Sequence, residues 1–242
     1  MVQVSSYERP KNLDEALAAL EVAGTVPMGG GTRLAALPGS GRVRVVDLQA
    51  AGLGGIQRRH EGKILIGATT TLDDLANSHD VPAAVREAAR RERPSGLRTL
   101  STVGGCVATA EVESELLATF LVFRASVRIA SSSGASVVPL GDLLADPARR
   151  AGEVITHVEI ETGGYATAAR VGRTPSDTPI VAAVARRDPG GNVLVAFAGV
   201  ATAPVLAEST EELVPPDDFR GSSVYRKSLA EILGQRVREA VK

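Results

Sequence analysis

Ser95-Gly-Leu-Arg-Thr-Leu-Ser-Thr-Val-Gly-Gly-Cys-Val-Ala-Thr-Ala-Glu-Val-Glu-Ser-Glu115 is the stretch around which the rest of the chain arranges itself. It opens on turn residues, Pro94, Ser95 and Gly96, and places Thr102 just before the pair Gly104-Gly105. Glycine lets backbone approach a ligand closely, and successive exposed N–H groups form a concave anion site. A neighbouring hydroxyl adds a donor for phosphate, and a carboxylate such as Glu115 accepts from ribose-type hydroxyls. Glycines among small residues also make tight packing corners, and do so more often. A second cluster, Pro27-Met-Gly-Gly-Gly-Thr-Arg-Leu34, supplies a partner for the first.

Working outward, the elements expected around these loops alternate between helix and strand. Asn12 with Glu15 makes a capping box for a short amphipathic helix ending near Gly24. Val26–Met28 and Arg42–Leu48 are strands, with Leu37–Gly41 a loop between them. Lys63–Ala68 is a strand, and Thr71 caps a helical turn through Leu75. Asp80 and Pro82 supply the cap and first-turn proline for a helix to about Arg91. Ser114 caps an apolar, central helix over 115–124. Val127–Ala130 and Ser136–Leu140 pair through the Ser131–Gly134 turn, and Glu153–Glu161 alternates as a further strand. From Gly163 the pattern changes to three antiparallel strands, at 165–171, 179–187 and 192–200, with Asp188–Gly191 as a hairpin turn. A closing helix from Ser222 or Ser223 presents Leu229, Ile232, Leu233, Val237 and Val241 on one apolar face. The expected class is α+β, with domains at 1–162 (lobes of about 1–50 and 51–162) and 163–242. No internal repeat or low-complexity segment is present.

Composition narrows the function. The 242 residues carry a net charge of −1, which gives no reason to expect nucleic acid or an anionic membrane as a partner. No apolar run reaches membrane-spanning length and Met1-Val-Gln-Val-Ser is not a signal sequence, so a soluble, cytoplasmic protein without membrane insertion is expected. Arg86–Arg98 holds five arginines against two glutamates; such runs are usually solvated helix faces, and a phosphate- or partner-facing role is the minority reading. Cys106 is the only cysteine, which excludes an intrachain disulfide or an iron–sulfur cluster of this chain's own. His60, His79 and His157 lack metal-site spacing, so no metal site is expected. Gly29-Gly-Gly-Thr-Arg-Leu34 is neither G-x-G-x-x-G nor a P-loop. No acid, base or nucleophile constellation suggests catalytic residues of its own.

The combination resembles the FAD-binding, medium subunit of the molybdopterin dehydrogenases, the carbon monoxide dehydrogenase and xanthine dehydrogenase type. Gly29–Leu34 looks like the first flavin loop of that family, and Leu97–Gly105 like its second. Lys63–Leu75, Asn192–Pro204 and Asp218–Lys227 resemble three further segments in the same order. The resemblance implies a two-part FAD-binding domain followed by a small antiparallel-sheet-plus-helix domain. It further implies that Gly29, Gly30, Gly31, Thr32, Thr102, Gly104 and Gly105 cradle the FAD diphosphate and that Glu115 accepts from ribityl or ribose hydroxyls. Arg33, where a small or acidic residue is usual, either reaches a phosphate or is exposed; Arg170 and Arg173 either neighbour the flavin ring or lie at the surface. Cys106 stands at a usual asparagine, and Val112 and Glu115 at a usual proline and aspartate. The implied activity is electron transfer as an oxidoreductase flavoprotein subunit. Electrons pass from the clusters of a 2Fe-2S small subunit, fed by a molybdopterin-binding large subunit, through FAD to an external acceptor. A degenerate member that keeps the fold as a scaffold or binding module without FAD is the other reading.

Overall fold

A computed structural model describes residues 3–34, 41–150, 153–175 and 177–242. The first unit holds strand β1 (Gln3–Glu8), helix α1 (Leu13–Leu20) and strands β2 (Thr25–Met28) and β3 (Arg42–Asp47), in a parallel sheet of order β1-β3-β2. Asn12 caps α1 by accepting from the Glu15 N–H at 2.9 Å, while the Glu15 carboxylate takes the Lys11 N–H. The helix stops at Leu20, earlier than expected, and Gly24 instead serves a turn at φ +76°. β1 was not anticipated: Gln-Val-Ser-Ser-Tyr-Glu is an edge strand, mostly exposed, and has no apolar alternation to betray it. The expected loop at Leu37–Gly41 falls, except for Gly41, outside the described residues.

The second unit runs through β4 (Ile56–Arg59), β5 (Lys63–Gly67), α2 (Leu72–Asn77), α3 (Ala83–Glu92), α4 (Ser95–Arg98), α5 (Val103–Thr109), α6 (Glu115–Val122), β6 (Ser126–Ser131), β7 (Gly134–Pro139), α7 (Leu140–Ala145), α8 (Pro147–Arg150) and β8 (Val154–Glu161). Its five strands form an antiparallel sheet of order β4-β5-β8-β6-β7. Thr71 and Ser114 cap α2 and α6 as expected. Asp80 does not cap α3; Pro82 occupies that position without a side-chain bond, and Asp80 pairs with Arg58 at 2.8 Å.

The third unit comprises β9 (Tyr165–Val171), β10 (Val181–Arg187), β11 (Val193–Ala198), β12 (Val205–Leu206) and α9 (Ser223–Ala240). The sheet has four strands rather than three, in order β12-β11-β10-β9, because Val205 and Leu206 pair with Phe197 and Ala196. Both faces of this sheet are covered. Ala182, Val184, Ala196 and Ala198 join the core that contains α6, all eight of whose residues are buried. Ala183, Ala185, Val195 and Phe197 face α9 through Ala230, Leu233 and Val237. Burial on both faces explains why β10 reads as a continuous apolar run instead of an alternating one. Gly234 permits the close approach of α9, since a Cβ there would lie 2.9 Å from the Phe197 ring. Ile232 is a correction: it is 57% exposed, and the buried Arg226 extends the inward stripe in its stead.

Candidate functional site

β2 ends at Met28 and delivers the first glycine cluster against the segment 100–102. The approach is close enough that a Cβ on Gly30 would sit 1.5 Å from the Leu100 carbonyl oxygen, and one on Gly29 2.5 Å from Thr102 Oγ1. Gly31 turns the chain at φ +71°, a conformation that disfavours any side chain. The hydroxyls of Thr32 and Ser101 then share a hydrogen bond of 3.2 Å across 69 positions of sequence. The two glycine loops are therefore one joint, and backbone-to-backbone contact is what demands glycine on the β2 side.

The second loop differs from the expected turn. Gly104 and Gly105 lie inside α5, whose cap is Thr102. Thr102 Oγ1 accepts the Gly105 N–H at 3.1 Å, and the Gly104 N–H donates to the Ala68 carbonyl at 2.8 Å. Val103 N–H donates to Thr70 and Leu72 N–H to Ser101, so α5 is stitched to the end of β5. Gly104 is small for the same reason: a Cβ would meet that of Ala68 at 2.7 Å. The donors left over are on the other loop. Among the described residues, the N–H groups of Gly30 and Gly31 have no protein acceptor.

A cavity of about 130 Å³ opens at the joint, lined by Gly29, Gly30, Gly31, Thr32, Arg33, Ser101, Thr102, Gly105 and Arg93 among others. Arg33 and Arg93 both pair with the single carboxylate of Glu111. Burial opposes the charge of Arg93, but the hydrogen bond and charge of Glu111 outweigh it and hold the guanidinium above its ordinary pKa. Cys106, at the usual asparagine, is buried in the wall, and burial together with Glu92 pushes its thiol well above the ordinary range, so it is an inert filler. An adjoining cavity of about 90 Å³ shares Gly29, Thr102 and Gly105 and adds Thr69, Gly104 and Glu153. Glu115 lines neither cavity. It is 2% exposed at the start of α6, with one oxygen on Arg91 and the other on Arg170, each at 3.2 Å.

The arginine run tethers neighbouring elements, while Arg90 and Arg91 remain exposed on the helix face. Arg86 donates to Val81, Arg90 to Ala76, Arg91 to Glu115, Arg93 to Glu111 and Arg98 to the Arg90 carbonyl. Arg170 is bound to Glu115 and the Asp177 carbonyl, whereas Arg173 is largely exposed. Sequence reading missed Arg93, Ser101, Glu111 and Glu153; Arg93 and Ser101 carried a trace, one as the odd arginine past the helix end and the other as the hydroxyl beside Thr102.

Glu92 sits behind this wall, accepting from the Leu116 N–H at 3.2 Å and bonded to Ser114. Burial lifts its carboxyl from 4.5 to about 7. A raised carboxyl stabilises the fold fully below pH 4.5, and that contribution is lost as pH rises through 7. The loss is roughly 3 kcal/mol by pH 8. Glu92→Gln, which mimics the protonated form, is expected to melt roughly 6–12 °C above the parent at pH 8 and level with it near pH 4.5. Thermal scans across pH check this; a difference that does not grow with pH contradicts it.

Open amides, hydroxyls and two guanidinium groups around a glycine joint make a site for a doubly anionic group, and the donor set and Cβ-free walls fit a diphosphate. Among the described residues, no cluster of side chains could hold a metal ion and no helix is long and apolar enough to cross a membrane. Residues 2–161 match the family model described as the FAD binding domain in molybdopterin dehydrogenase. The chain is 28% identical over 283 residues to the carbon monoxide dehydrogenase medium chain of Afipia carboxidovorans, covering 98% of this chain and 96% of that one. It is 25% identical over 269 residues to the glyceraldehyde dehydrogenase medium chain of Sulfolobus acidocaldarius, covering 94% and 95%. In structure it superposes with a TM-score of 0.89 on a chain of reconstituted CO dehydrogenase from Oligotropha carboxidovorans, at 24% identity and covering 100% and 99%, a likeness of fold.

Proposed function

The chain belongs to the family of FAD-binding domains of molybdopterin dehydrogenases, and from that premise we propose that it is the FAD-holding electron-transfer subunit of a molybdenum hydroxylase complex. Its partners in that reading are a molybdopterin-binding large subunit and a 2Fe-2S small subunit, with an external acceptor beyond. Full-length similarity to medium chains of two such dehydrogenases supports it. The observation that carries the reading is the joint between the glycine loops, where Gly30 and Gly31 keep N–H groups without a protein acceptor beside Arg33 and Arg93.

FAD, when bound, supplies a redox group that takes electrons singly and yields them as a pair. This chain's residues bind and orient. Gly29, Gly30, Gly31 and Thr32 offer backbone and hydroxyl donors to the diphosphate, with Thr102, Gly104 and Gly105 forming the opposing wall. Arg33 and Arg93 balance its charge, held at the rim by Glu111. Glu115, by fixing Arg91 and Arg170, joins α6 to β9 and so keeps the third unit seated against the second. The domain division at residue 162 follows the same reading.

The second reading, a scaffold without flavin, draws on the Gly104 and Gly105 N–H groups, both already bonded within the protein. Purification with the partner subunits co-expressed separates the two. A yellow protein that releases FAD on denaturation is expected; a colourless one that takes up no added FAD sinks the proposal.

A further inference from the structure

Glu153 directly precedes β8, and its Oε2 atom is buried with no hydrogen-bond partner among the described residues. Leaving a carboxylate oxygen dry and unpaired is costly, so such an atom needs an explanation. Among the described residues, three other buried polar atoms share that state, on Ser6, Thr25 and Arg44, but all belong to the first sheet and line neither cavity. Glu153 lines the 90 Å³ cavity, with Thr69 and the backbone of Gly104 and Gly105. That cavity is continuous in its lining with the diphosphate cavity through Gly29, Thr102 and Gly105. A ligand with its phosphates at Gly30 and Gly31 therefore carries the adjoining part of its skeleton to Glu153. In a flavin nucleotide the units flanking the diphosphate are polyols, and a carboxylate is an acceptor-only group matched to hydroxyl donors. A cation is a poorer occupant, because Glu153 has no second carboxylate beside it in the lining.

We propose that Glu153 is the hydroxyl-accepting carboxylate of the cofactor site, taking a hydroxyl of the ribityl chain or of the ribose next to the diphosphate. Both oxygens of Glu115, the carboxylate first expected there, are held by guanidinium groups. The proposal rests on the FAD reading above.

The test uses the full chain stripped of flavin, with Glu153→Gln and Glu153→Ala beside the parent. FAD affinity is read from flavin fluorescence, and riboflavin and ADP are measured as competitors that present the ribityl and the ribose hydroxyls separately. Both variants are expected to lose roughly tenfold or more in FAD affinity, the range of a hydrogen bond to a charged group. Glu153→Gln without ligand is expected to melt at or above the parent, since a buried carboxylate oxygen without a partner is removed. A matching loss for riboflavin assigns the ribityl chain, and one for ADP the ribose. FAD affinity within twofold of the parent in both variants overturns the proposal while leaving the FAD reading intact. A fall in the ligand-free melting temperature of Glu153→Gln overturns it too, as does a loss for FAD that neither competitor shares. A parent chain that binds no FAD, alone or with its partners, overturns the FAD reading and this proposal together.

Discussion

Arg226→Ala is expected to cost about 2–5 kcal/mol, the range for leaving two buried carbonyls without their charged donor. Arg226 lies on the inner face of α9 and is fully buried. Its Nη1 donates to the carbonyls of Ile180 at 2.6 Å and Gly199 at 3.0 Å, and its Nη2 holds both carboxylate oxygens of Asp218 at 2.8 Å. That hydrogen bond is the chief reason the Asp218 carboxyl is held below its ordinary range. One side chain thus satisfies the start of β10, the end of β11 and the loop entering α9. Alanine leaves the two buried carbonyls without that donor and takes the guanidinium from Asp218, which keeps only the N–H groups of Arg220 and Gly221. Ile232→Ala, on the exposed side of the same helix, is expected to change stability by less than about 0.5 kcal/mol. Chemical denaturation of both variants checks the contrast. Equal effects would show that α9 is held by helix propensity and general apolar burial instead.

Gly30→Ala is expected to abolish flavin retention. The added Cβ would fall 1.5 Å from the Leu100 oxygen and 2.4 Å from its carbon, both backbone atoms that no rotamer change can move. The loops must part, which separates the Thr32–Ser101 hydrogen bond and displaces Gly30 and Gly31 in the cavity lining. The cost to overall stability is smaller, about 1–3 kcal/mol, because the strain is relieved at a loop and not in a core. Gly96→Ala provides the control. It belongs to the same sequence stretch, in α4, and a Cβ there meets nothing within 4 Å. Flavin content per polypeptide after purification is the measurement, and retention by Gly30→Ala at the level of Gly96→Ala would refute the place of the joint in binding.

Much of this was legible from residues alone, for reasons that differ by element. α6 was visible because Leu116, Leu117, Phe120 and Leu121 leave no polar face, and a helix without one must be enclosed. The β10–β11 hairpin was visible because Asp188-Pro-Gly-Gly191 fixes its turn, confirmed by the pairing of Arg187 with Val193. β1 and β12 were not legible, since an edge strand of mixed polarity and a two-residue strand carry no periodic signal. The glycine clusters are legible in the sequence, but not that Gly104 and Gly105 lie in a helix, because a threonine before a glycine pair suits a phosphate as well as a helix cap. Glu115 and the arginines could not be matched from sequence, because Arg91–Glu115–Arg170 is a contact between elements far apart in the chain. Glu153 gave no sign at all, as nothing local distinguishes it from any glutamate entering a strand.

The joint of the glycine loops also bears on how the molecule comes together. The loop 29–32 owes its course to a surface made 69 positions later. The loop can settle on that surface only once residues 100–102 are held in place by the contacts of α5 with the end of β5. The cradle therefore has no existence in a nascent chain that has emerged only through the first sheet. Its maturation waits on lobe docking, and a cofactor that prefers the docked state draws that equilibrium forward by mass action.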